Sequence, residues 1–174
     1  MNLTIFQPLI NEQRHQQEQQ NIQWDLAPPE VGSLITTGGD RRWQVFAVEE
    51  YKSENCSVYL AHIHPEGEPL PVPTVGTIQA LRQFSPYLSF YIHVAPDDSF
   101  LGHGWRMNGD APIGQLLTHG GSGVETEDGI KFENVYLPWV VDLIDTYKPV
   151  GEASYTTIHL CHCLPVALPE MAVA

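Results

Sequence analysis

The chain is short of cysteine and of cations, and each shortage excludes a class of protein. Only Cys56, Cys161 and Cys163 occur, an odd number with no framework spacing, so a disulfide-stapled secreted domain is not expected. Lys and Arg total 8 against 21 Asp and Glu, a formal charge of −13. Binding a duplex requires cations that neutralise phosphates and release counterions. Here Arg41-Arg42 is the one adjacent basic pair, and the chain would repel a phosphate backbone. Direct nucleic-acid binding and attachment to an anionic membrane are both disfavoured. No apolar run approaches the roughly 20 residues of a membrane-spanning helix. Met1 to Ile10 has no basic n-region and is broken by Gln7 and Pro8, unlike a signal peptide. The cytoplasm is the expected compartment.

Catalytic signatures are missing as well. There is no Gly-x-Ser-x-Gly elbow, no phosphate loop and no dinucleotide fingerprint. The nearest approach, His119-Gly120-Gly121-Ser122-Gly123, reads as a flexible connection before it reads as an anion cradle. Asp142 and Asp145 read as isolated solvated carboxylates.

What is present suits one globular domain. Of 174 residues 43% are hydrophobic, and 14 Gly with 14 Pro favour turns and short strands over long helices. The expected fold class is α+β: a single domain over 31–166, with an antiparallel sheet, flat or curled toward a barrel, and one or two packed helices. Residues 1–30 read as a flexible Gln-rich N-terminal arm and 167–174 as a C-terminal tail. Strands are expected at 32–37, 42–51, 57–64, 87–95, 100–107, 130–137 and 154–166. Helical spacing predicts a short helix over 74–84. A second is predicted over 138–147, where Val140, Val141, Ile144 and Tyr147 recur after a helix-compatible Pro138. The expected core is Phe46, Val48, Leu60, Leu88, Phe90, Ile92, Val94, Val140, Ile144 and Ile158.

Two clusters carry candidate chemistry. His62 and His64, at i and i+2 on a strand, share a face and could share an ion. With Glu68 they form H-x-H-x-x-x-E, which resembles the first metal-binding motif of the cupin family of double-stranded β-helix barrels. Pro112-Ile113-Gly114 followed by His119 resembles its second motif, with two residues too many before the histidine. The resemblance implies a metal held by His62, His64 and His119, with zinc or another divalent ion as the cofactor. Glu68 sits among prolines rather than on a following strand, a departure from the family pattern. The second cluster is His159-Leu160-Cys161-His162-Cys163. Its three same-face candidates His159, Cys161 and Cys163 span about 13 Å of regular strand, too far for one ion, so the cysteines read as small core residues.

Two functions follow as expectations. The leading one is a non-enzymatic interaction or accessory module that needs no cofactor. Its acidity would steer it to a protein partner with a basic surface, and Trp43, Tyr51, Tyr59, Tyr87, Tyr91 and Trp105 offer an aromatic inventory for contact. The alternative is a small metal-dependent, cupin-like enzyme or sensor built on the histidines.

Overall fold

Runs of β-branched and aromatic residues punctuated by Gly and Pro become strands almost throughout. The computed structural model describes residues 2–8, 21–36, 41–69, 88–107 and 113–167. They form β1 (Asn2–Pro8), β2 (Asn21–Trp24), β3 (Leu34–Thr36), β4 (Arg42–Lys52), β5 (Ser57–Pro65), β6 (Leu88–Val94), β7 (Phe100–Met107), β8 (Leu116–Thr126), β9 (Gly129–Pro149) and β10 (Thr157–Pro165). The spatial order is β2-β1-β5-β4-β9-β10-β6-β7, with β3 against β4 and β8 against β9. The sheet is mixed: β1 runs parallel to β5 and β6 parallel to β10, and the remaining pairs are antiparallel.

The sheet narrows at one point. Strands β4 and β9 share only the pairs Tyr51↔Pro149 and Lys52↔Lys148, extended by the Val150 N–H donating to the Glu50 carbonyl at 2.8 Å. On either side of this joint the two halves turn their inner faces to a common core. Leu3, Ile5, Tyr51, Val58 and Leu60 come from one half, and Phe90, Ile92, Val94, Ile158 and Leu160 from the other. At the far margin the Trp24 indole N–H donates to the Asp98 carbonyl at 2.9 Å. That carbonyl is presented by a turn in which Asp98 takes a φ of 64°, a region that Asp tolerates better than most side chains.

Each half also buries its outer face. Phe6, Trp43, Val45, Ala61 and Ile63 form one satellite cluster. Tyr91, Leu117, Val141, Cys161 and Cys163 form another. Central strands are therefore apolar on both faces, which erases simple alternation.

Several expectations are corrected. The fold is mostly β rather than α+β: no helix occurs among the described residues, and the sheet is mixed rather than antiparallel. The helix expected over 138–147 is part of β9, paired residue by residue with β10. A register shift between His162 and Cys163 leaves Asp142 as the extra residue, so Val141 and Ile144 fall on one face, three apart. Tyr147 then contributes to the common core on the opposite face. A bulged strand buried on both sides thus reproduces the i, i+3, i+6 spacing of a helix. The helix expected over 74–84 lies outside the described residues.

The N-terminal arm does not hold for 2–8 and 21–24. Strand β1 lies inside the sheet between β2 and β5, with Leu3, Ile5 and Phe6 buried, while residues 9–20, most of the Gln-rich stretch, lie outside the description. Of the expected core, Leu60, Phe90, Ile92, Val94 and Ile158 are buried. Phe46, Val48, Val140 and Ile144 are half-buried, and the side chain of Leu88 is not described. No helix of the described residues is long and apolar enough to cross a membrane.

Because Ile5 is 0% exposed in the common core, Ile5→Ala is expected to cost about 2–5 kcal/mol. Deleting residues 1–8 removes a central strand and should abolish cooperative unfolding. Denaturant titration checks both, and an unchanged midpoint after the deletion would show that β1 is dispensable.

Candidate functional site

The inner face of the β1-β5-β4 half changes character along its length. Near the joint it is apolar, and farther along it becomes polar. The β4–β5 register sets Tyr51 opposite Val58, Glu49 opposite Leu60, Ala47 opposite His62 and Gln44 opposite His64. On the other side of β5, Gln7 of β1 stands beside His62. A register shift between Val45 and Ala47 makes Phe46 the bulged residue, and its ring centroid lies 6.0 Å from His62 and 5.6 Å from His64. The bulge also changes the phase along β4: Val45 and Trp43 belong to the outer cluster, whereas Glu49 and Tyr51 point inward.

Glu49 is the centre of this group. It is 5% exposed, and His62 and Ser154 are 7% and 2% exposed. Its Oε2 contacts His62 Nε2 at 2.7 Å and accepts the Ser154 hydroxyl at 2.8 Å. Its Oε1 accepts the Ser154 backbone N–H. Ser154 lies in the β9–β10 connection, and its neighbour Tyr155 donates its backbone N–H to the Tyr51 hydroxyl oxygen at 3.2 Å. Burial first, and then the Glu49 charge, push the Tyr51 hydroxyl far above its ordinary tyrosine range. Burial is also the main cause of the raised Tyr155 pKa, opposed by a hydrogen bond from Gln7.

The arrangement holds parts together more than it activates them. The Ser154 hydroxyl donates to Glu49 and not to His62, so the nucleophile-to-base contact of an acyl-transfer triad is missing here. Nearly all the acceptor capacity of Glu49 is spent on bonds within the protein.

The residues expected to bind metal fare unevenly. His62 and His64 do share the inner face, but His62 Nε2 is engaged by Glu49 and the Phe46 ring lies against both imidazoles. Glu68 is exposed in the turn after β5 and lies 3.6 Å from Arg41. His119 falls on β8, a strand of the other half that pairs with β9, and its side chain is not described. Among the described residues no group of three or more His, Cys, Asp or Glu could hold a metal ion.

In the second cluster, Cys161 and Cys163 are buried in the outer core of the other half, as small core residues would be. Burial pushes the Cys163 thiol up to about 11. His159 stacks on Tyr91 at 4.5 Å and bonds Thr146 and Thr157 through its two ring nitrogens, at 2.8 and 3.0 Å. His162 takes the opposite face and contacts Asp145 at 2.9 Å.

Sequence reasoning missed Glu49 and Ser154. The inward phase of Glu49 with Ala47 and Tyr51 was available from alternation, once the bulge at Phe46 is allowed for. Ser154 had no local signal, since its partner lies 105 residues away.

Glu49→Ala leaves His62 and Ser154 without their buried acceptor and is expected to cost about 3–5 kcal/mol. Ser154→Ala removes one hydroxyl bond to a charged group and should cost about 1.5–3 kcal/mol. Equal losses in denaturant titrations would contradict the central place of Glu49. The raised Tyr51 hydroxyl and Cys163 thiol also set an alkaline limit. Above the ordinary pKa of these groups the unfolded chain releases protons that the native state keeps, so stability falls as pH rises. That fall is expected to begin near pH 9–10, the range of the unperturbed groups, and Tyr51→Phe should make it shallower in melting curves.

Comparison with protein-family models, with curated proteins and with solved structures gave no match.

Proposed function

We propose that this chain is a non-enzymatic binding module whose acidic surface engages a protein partner of opposite charge. The observation that carries this reading is where the acidity lies. Of 21 carboxylates, Glu49 is the only one buried among the described residues, so the rest of the described negative charge faces solvent. Cations do little to offset it. Arg42 lies 3.1 Å from Glu66, Arg41 3.6 Å from Glu68 and Lys52 3.1 Å from Glu50, so these three are spent on neighbouring carboxylates. Glu127 and Asp128, at the β8–β9 turn, and Asp142, at the β9 bulge, are exposed.

A net field of one sign speeds encounter with a complementary surface and is screened by salt, over about 8 Å at physiological ionic strength. The use made of Glu49 and Ser154 is consistent with a rigid scaffold for such a surface. Asp145 and Glu125 are poorer choices as contact residues, the first because it bonds His162 and the second because its side chain is not described.

The triple charge reversal Glu127→Lys, Asp128→Lys and Asp142→Lys should leave the melting temperature nearly unchanged, since isolated surface charges contribute about 0–1 kcal/mol each. It should slow association with a partner recovered from lysate at low salt and identified by mass spectrometry, and high salt should do the same to the wild type. A partner that ignores both salt and charge reversal, or the recovery of none, would remove electrostatic steering.

A further inference from the structure

A line of polar side chains crosses the outer face of the other half. Ser89 of β6 stands beside Thr157 of β10. His159 follows Thr157 on the same face, beside Thr146 of β9. Their contacts run without a break: Ser89 Oγ to Thr157 Oγ1 at 2.9 Å, Thr157 Oγ1 to His159 Nε2 at 3.0 Å, and His159 Nδ1 to Thr146 Oγ1 at 2.8 Å. Tyr91 fixes the His159 ring by stacking on it at 4.5 Å. The line is open to solvent, as Ser89, Thr157 and His159 are half-buried and Thr146 is exposed. On the neighbouring strand Gly104 stands beside Tyr91, and nothing lies within 4 Å of where its Cβ would be. The contact from a hydroxyl to an imidazole that Ser154 does not make with His62 is therefore present here.

We propose that Ser89, Thr157 and His159 form an acyl-acceptor site, at which the Thr157 hydroxyl takes an acyl group from an activated carboxylic ester. A neutral imidazole has one donor nitrogen and one acceptor nitrogen. With Nδ1–H donating to Thr146, Nε2 accepts the Thr157 hydroxyl, and the Ser89 hydroxyl donates to the Thr157 oxygen. Burial holds the His159 pKa below its ordinary value, so the ring is neutral and able to take a proton near pH 7. The Thr157 oxygen attacks the ester carbonyl carbon, and its proton passes to His159 Nε2. The bond from that carbon to the leaving oxygen then breaks, and the leaving oxygen takes the proton from Nε2. Ser89, one hydrogen bond from the attacking oxygen, turns its hydroxyl to the carbonyl oxygen as negative charge develops there. The products are one new ester on Thr157 and one released alcohol. The inference stands apart from the interaction reading: a single acylation of each chain requires no turnover and uses none of the surface carboxylates.

The test exposes the full-length chain to p-nitrophenyl acetate near neutral pH and maps acetylation over time by tandem mass spectrometry. Ser33 supplies the comparison, since it is half-buried like Thr157 but its hydroxyl donates to the Glu30 carbonyl at 2.6 Å. Thr157 should be acetylated about a hundredfold faster than Ser33, the low end of what a positioned base contributes. His159→Gln, which keeps a polar side chain and removes the base, should abolish that advantage. Ser89→Ala should slow acetylation of Thr157 by about tenfold, because a donor open to water is worth less than one in a sealed oxyanion hole. Should a variant fail to fold, the wild-type ratio of Thr157 to Ser33 decides the matter alone. Equal rates at these two hydroxyls would overturn the assignment. So would an acetyl group on Thr146 or His159 in place of Thr157, which would mean that the proton runs the other way along the line or that the imidazole is itself the nucleophile.

Discussion

The two halves of the sheet hold together through a short joint, and the Glu49 carboxylate is the interaction that makes it firm. Two residue pairs between β4 and β9 would be a weak hinge on their own. Glu49 adds two bonds from Ser154, one from its backbone and one from its hydroxyl, and so ties the β9–β10 connection down onto β4. A charge removed from water is tolerable when hydrogen bonds replace its hydration, and here His62 supplies a further contact. Tyr51 and Tyr155 extend the same link into the common core. The facing halves are therefore held in one relation by a buried polar group at one margin and by the Trp24–Asp98 contact at the other.

That construction explains why both faces of several strands are apolar. The common core lies between the halves, and each outer face carries its own cluster. Three layers of burial in one domain leave little room for the alternation that marks a strand with one wet face. Bulges at Phe46 and Asp142 add to the effect, since an extra residue shifts the phase of everything after it. Both bulges also have a use. The first brings an aromatic ring against His62 and His64, and the second exposes a carboxylate between the buried Val141 and Tyr147.

A histidine pair on one strand face is only the beginning of a metal site. Here His62 is engaged by the Glu49 carboxylate, the Phe46 ring lies against both imidazoles, and the third expected ligand, His119, belongs to a strand of the opposite half. The acidity, by contrast, depends on no particular packing. Once Glu49 is set aside as structural, the described carboxylates lie outside the core, where charge acts at a distance.

Much of this could be read from the chain itself. Strand positions at 42–51, 57–64, 100–107 and 154–166 followed from β-branched and aromatic runs, and the burial of Leu60, Phe90, Ile92, Val94 and Ile158 from their apolar spacing. The place of Cys161 and Cys163 as small core residues and the excess of negative charge were likewise legible in the chain. Tertiary structure decided the rest. It turned residues 138–147 into strand, because pairing with β10 on one side and burial on both faces outweighed a helical spacing made by one bulge. It drew Asn2–Pro8 into the sheet, because the strand pairs along its whole length with Ser57–Ile63, more than fifty residues away. It joined Glu49 to Ser154 across 105 residues. Local propensity and periodicity report on a residue's neighbours in the chain, whereas strand partners, bulge phase and buried hydrogen bonds are set by residues remote in sequence.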